Sequence, residues 1–106
     1  MVTPANPLDL VRRLAADERA CAFFQPVLTE LRRVGLDTDD LREILCSELG
    51  EAHCFRSRPT EKYFPATVSD YYSLWIEDCG ARMFIKLLVH KDRLVITSFK
   101  KDDRYG

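Results

Sequence analysis

Two hydrophobic periods divide the chain. Through the first half, apolar residues recur at three- and four-residue steps; through the second they alternate. Leu10, Val11, Leu14 and Ala15 form one helical stripe, with Asn6 expected as N-cap and Pro7 at the first helical position. "QPVLTELRRVG" predicts a second helix. Pro26 suits its first turn, Val27, Leu28, Leu31 and Val34 make its stripe, and Gly35 fits the position just past its end. "DTDDLREILCSELG" predicts a third. Asp37 or Thr38 caps it, Asp39 and Asp40 complement its dipole, and Gly50 ends it. Leu41, Ile44, Leu45 and Leu49 supply the apolar face of that helix.

Four strands are expected after that: "AHCFRSR", "YYSLWIE", "RMFIKLLVH" and "RLVITSFKK". The last three read as an antiparallel meander, turning at "DCGA" and at "KD". "EKYFPATVSD" contains Pro65 and reads as loop. Helices first and antiparallel strands second define an α+β layout, with three N-terminal helices on one face of a mainly antiparallel sheet of about four strands. Met83, Ile85, Leu87 and Val89 should meet the helices. Arg82, Phe84, Lys86, Leu88 and His90 then stand on an uncovered face that mixes cations with apolar groups. A mere solvent face does not need Phe84 and Leu88, and a second core does not tolerate Lys86.

Length narrows the domain count: 106 residues predict one domain over 1–106, with 101–106 a frayed, solvated tail. No apolar run approaches the ~20 residues of a membrane span. "MVTPANPLDLVRRL" lacks a cationic start followed by an apolar stretch, so a cytoplasmic protein is expected. Cys21, Cys46, Cys54 and Cys79 form no C-x-x-C pair and read as small apolar groups. A zinc site of His53, Cys54, Cys79 and His90 can be drawn, but structural zinc ligands come in close pairs; no metal or other cofactor is expected. The net charge of −1 conceals an asymmetry. Residues 1–51 hold six Lys and Arg against ten Asp and Glu, and residues 52–106 hold ten against seven. The second half is thus the one to meet a polyanion.

"VRRL", "LTELRRVGLDTDDLREIL", "HCFRS", "TVSDYYS" and "FIKLLVHKDRLVITSFKK" fall in one order along nearly the whole chain. Together they resemble the MqsR family of bacterial toxins from toxin–antitoxin pairs. The resemblance implies a RelE-like fold, metal-independent cleavage of mRNA, and inhibition by a cognate antitoxin protein. The family's basic residue at the first strand is similar to Arg56, and its glutamine before the middle-strand aspartate falls on Ser69. Its catalytic tyrosine falls on Phe84, and its two lysines are kept as Lys86 and Lys100. Tyr72, or Tyr63, is then the neighbouring source of a hydroxyl.

Metal-free RNA cleavage needs a base for the 2′-hydroxyl, cations around the phosphorus and an acid for the leaving oxygen. Arg56, Lys86, Tyr72 and Ser69 are the candidate catalytic set. Arg56 is suited to clamp phosphate through paired hydrogen bonds, and His53 or His90 could also move protons. Arg58, Lys62, Phe84 and Lys100 extend the set as an RNA-binding surface. Phe84, Tyr71, Tyr72 or Trp75 could stack on an unpaired base, though alternation leaves open which of Tyr71 and Tyr72 faces the helices. Three readings stand: a ribonuclease toxin; an RNA- or protein-binding module of the same fold without cleavage; and an interaction domain whose apolar patch forms a homodimer.

Overall fold

Each predicted helix is too short to hold by itself, so its apolar stripe has to find a sheet. The computed structural model describes residues 2–105 and shows where. Helices α1 (Leu8–Ala15), α2 (Gln25–Arg33) and α3 (Thr38–Ser47) pack on one face of a mixed sheet. The sheet comprises β1 (Cys21–Phe23), β2 (Cys54–Pro59), β3 (Val68–Ile76), β4 (Ala81–His90) and β5 (Arg93–Lys101), in the order β1-β5-β4-β3-β2. The layout is α+β, but the sheet has five strands among the described residues rather than about four. The unforeseen strand, β1, runs parallel to β5. It is three residues of one apolar run, and so carries no alternation to read.

Leu8, Val11, Leu14, Val27, Leu31, Leu41, Ile44 and Leu45 from the helices meet Tyr72, Leu74, Ile76, Met83, Ile85, Leu87, Leu94, Ile96 and Phe99 from the sheet. Each such aliphatic side chain contributes ~1.5–3 kcal/mol, more than any propensity difference along these helices. The ends are sealed locally. Asp37 and Asp40 form a reciprocal capping box at the start of α3. After α2, Gly35 at φ 78 lets the N–H of Leu36 reach the carbonyl of Leu31 (2.9 Å). Arg12 and Arg42 donate to the carbonyls of Leu49 and Ala15, tying α1 to α3.

Asn6 does not cap α1, whose N-cap is Pro7. Its side chain crosses instead to the Val68 carbonyl and the carboxylate of Asp70, which also accepts the backbone N–H groups of Ala5 and Asn6. A fully buried carboxylate on the helix side needs those donors, and the hydroxyl of Ser57 adds another. The tail is likewise anchored rather than frayed. Asp102 is 4% exposed; it accepts a hydrogen bond from Ser73 and a two-pronged one from the Arg104 guanidinium. Of the predicted tail only Gly106 lies outside the described residues.

Register fixes the second face. Two irregularities matter: a bulge in β2 between Cys54 and Arg56, and one in β5, where Lys86 opposes Ser98 but Leu87 opposes Ile96. Thr97 is the extra residue there, its hydroxyl donating to the Lys86 carbonyl at 3.3 Å. Leu88 stands on the second face as expected, opposite Val95, but it is not uncovered: it is fully buried outside the helix-side core. Segment 60–67 folds back toward this end, with the Phe64 ring 5.1 Å from that of His90.

Candidate functional site

Cross-strand pairing lines up Arg56 of β2, Tyr71 of β3, Lys86 of β4 and Ser98 of β5 in one row on the face away from the helices. The row exists because Tyr72, Ile85 and Phe99, their immediate neighbours, are claimed by the core. The Lys86 ammonium sits over the Tyr71 ring, 5.4 Å from its centre. Tyr71 is one of three rings in mutual contact: Phe55–Tyr71 at 6.2 Å, Phe55–Phe84 at 5.9 Å and Tyr71–Phe84 at 5.7 Å. Each ring carries its own cation. Lys100 lies 5.5 Å from the centre of Phe84, and the Arg104 guanidinium lies 3.6 Å from that of Phe55. Phe55 reaches this cluster because the β2 bulge turns it to the same side as Arg56.

Arg58 opposes Ser69 one row further along. Ser69, Tyr71 and Lys86 form the floor of a cleft of about 330 Å³, walled by Phe24, Tyr63 and Phe64 and rimmed by Lys62 and Glu61. A hydroxyl chain runs beneath it: Thr67 to Thr60 at 2.8 Å, and Thr60 to Ser69 at 2.8 Å. Arg56, Arg58, Lys62 and Lys100 are exposed. Arg56, Arg58, Lys86, Ser69, Phe84 and Lys100 therefore share one face, and Lys62 rims it.

Tyr72 does not join them. It is fully buried on the helix side, and its hydroxyl has no hydrogen-bond partner among the described residues. Burial pushes its phenol well above the usual tyrosine value, so it stays neutral and out of reach of any substrate. Its assignment as a catalytic group is corrected: alternation allowed either tyrosine to face inward, and Tyr72 is the one opposite Ile85. Neither histidine joins the row: His90 packs its ring 5.1 Å from that of Phe64, behind the cleft wall and outside its lining. His53 accepts the Gly50 N–H at 3.0 Å on Nδ1, and burial lowers its pKa. The four residues of the drawn zinc set do not assemble: Cys79 precedes β4 and His90 is its last residue, so the ten-residue strand, roughly 30 Å of extended chain, separates them. Among the described residues no group of three or more His, Cys, Asp or Glu side chains converges.

Phe55, Arg104, Thr60 and Thr67 were invisible as site residues. Phe55 depends on a bulge, Arg104 on an anchored tail, and the threonines on a loop path, none of which a hydrophobic period encodes. Trp75, 53% exposed on the same face opposite Arg82, was legible as a stacking candidate.

No protein-family model matches the chain, and no curated protein matches it significantly. The chain is thus defined by its architecture: an α+β fold with helices on one side of the sheet and cation-capped aromatic rings on the other. No helix among the described residues is long and apolar enough to cross a membrane.

Proposed function

We propose that the chain is a toxin-type, metal-independent endoribonuclease that takes single-stranded mRNA on the second sheet face and is restrained by a cognate antitoxin protein. The observation that carries this reading is the row of Arg56, Tyr71 and Lys86, two cations flanking an aromatic ring on one uncovered surface. A phosphate over this row meets a guanidinium fork and an ammonium, and the rings beside it accept unstacked bases. Negative charge building on the phosphorus is what Arg56 and Lys86 stabilise; such an interaction is worth ~3 kcal/mol in the transition state. With Tyr72 in the core, proton movement falls to groups lining the cleft, the Glu61 carboxylate and the Tyr71 phenol.

A second reading, RNA binding without cleavage, is favoured by one specific feature: Phe84 has no hydroxyl and the hydroxyl of Tyr72 is buried. Incubating purified chain with single-stranded RNA in EDTA, while following both binding and product, separates the two. Cleavage is expected, reduced about a hundredfold in Arg56→Ala and in Lys86→Ala with unchanged thermal unfolding. Binding without product transfers the assignment to the second reading, and absence of both abolishes it.

A further inference from the structure

We infer that the cleft beside the Arg56–Lys86 row is a pocket for one unstacked base of the bound RNA, so that the chain selects its position along a strand. This rests on the RNA-binding reading above and goes beyond it, since a flat row of cations and rings grips any sequence. The cleft is about 330 Å³, at the lower end of the ~300–1,000 Å³ typical of small-molecule pockets. That suits one base with its sugar and excludes a stacked run.

Its walls and floor divide as a base requires. The walls are aromatic: Tyr63, 65% exposed, meets Phe24 edge-on at 5.9 Å, and Phe24 lies 6.2 Å from Phe64. The floor is polar and buried at Ser69. Thr67 reaches the Phe64 carbonyl at 2.7 Å as well as Thr60, and each hydroxyl owns a single proton. If Thr67 donates to the carbonyl, Ser69 donates down the chain and offers the cleft a lone pair. If Thr67 donates to Thr60, Ser69 keeps its proton for the cleft. The base edge that enters selects the direction, and a mismatched edge leaves a buried hydroxyl unsatisfied. Lys62 at the rim and Lys86 on the floor are placed for the flanking phosphates.

The segment that makes the pocket is built rather than slack. The N–H of Thr60 donates to the Thr67 carbonyl at 3.1 Å, and Phe64 and Ala66 both hold positive φ, 59 and 63. A side chain in that region costs ~1–2 kcal/mol, and such strain persists where surrounding contacts impose it, characteristically at ligand clamps.

The test is a panel of short single-stranded RNAs that carry a 2′-deoxy sugar at the expected cleavage step and differ in one base. They are titrated into wild type, Tyr63→Ala, Ser69→Ala and Lys86→Ala, each checked by thermal unfolding. Wild type should prefer one base at one position. Tyr63→Ala should weaken the preferred strand about tenfold. Ser69→Ala should flatten the base preference, and Lys86→Ala should weaken every strand alike. If Lys86→Ala weakens binding while Tyr63→Ala and Ser69→Ala change neither affinity nor order, the pocket is wrong and the RNA reading stands. Wild type that binds no strand overturns both. A nucleoside monophosphate that binds as tightly as the strand would make this a free-nucleotide site and defeat the proposal.

Discussion

Tyr71 and Tyr72 are neighbours in sequence with opposite environments. One phenol ring lies under an ammonium on the open face; the other is sealed among Cys54, Leu74 and Ile85, its hydroxyl without a hydrogen-bond partner among the described residues. A buried hydroxyl without a partner costs ~1–3 kcal/mol of desolvation, so Tyr72→Phe is expected to leave stability unchanged or raise it by about 1 kcal/mol. RNA binding and cleavage should not change. Chemical denaturation reads the first and the EDTA assay the second; a clear loss of stability would mean that the hydroxyl is hydrogen-bonded in solution. Asp102 makes the complementary case for a satisfied buried group. Hydrogen bonds from the Arg104 guanidinium hold its carboxyl well below the usual range, outweighing burial, with Ser73 assisting. A carboxyl depressed by folding stabilises above its unfolded value, ~3.9, and that contribution drains away as pH falls from there toward the folded value. Denaturation midpoints of wild type and Asp102→Asn should therefore differ most near neutrality and converge on acidification below about pH 4. A constant gap across that window would show that Asp102 is not ionised in the native tail.

At the scale of elements, the sequence was readable where a period was long and a cap obvious. All three helices and the four longer strands follow from spacing, and the Asp37 cap and the Gly35 terminus from residue type. What escaped was whatever depends on a partner far along the chain. The three-residue β1 is a strand only because β5 offers it an edge. Thr97 reads as one more alternating position, yet its bulge lets Ile96 and Phe99 both enter the core. The cation row was legible, because alternation alone puts Phe84 and Lys86 opposite to Ile85 and Leu87. The cleft was not, because Pro65 marked 61–70 only as a loop, without its path; Val68, Ser69 and Asp70 instead begin β3, which is what brings Ser69 to the cleft floor. That path has a measurable signature. Glycine adopts the conformation of Ala66 without the steric cost, ~1–2 kcal/mol, but adds unfolded-state entropy of ~0.4–1 kcal/mol. Ala66→Gly should thus raise the unfolding midpoint, by up to about 1 kcal/mol in stability. A fall would mean that the segment relaxes out of this conformation in solution.

Across the whole molecule the two halves of the chain separate charge as they separate structure. The helix-bearing residues 1–51 are net −4 and the sheet-bearing residues 52–106 net +3. The net negative charge of the helix-bearing half disfavours RNA on that side of the sheet. With a net charge of only −1, any affinity for a polyanion has to come from the local array, and the array can be counted by salt. A single strand displaces about 0.7 counterion per phosphate neutralised. Five cations assigned to the strand, Arg56, Arg58, Lys62, Lys86 and Lys100, predict a slope near −3.5 for the logarithm of affinity against the logarithm of salt, at about 0.7 each. Lys100→Ala should reduce that slope by about 0.7 and weaken all sequences equally, since it sits over Phe84 and away from the cleft. Ser69→Ala should leave the slope intact while changing which base is preferred. A slope indifferent to Lys100 would mean that strands do not run across the ring cluster, and would confine RNA to the Lys62–Lys86 end of the face.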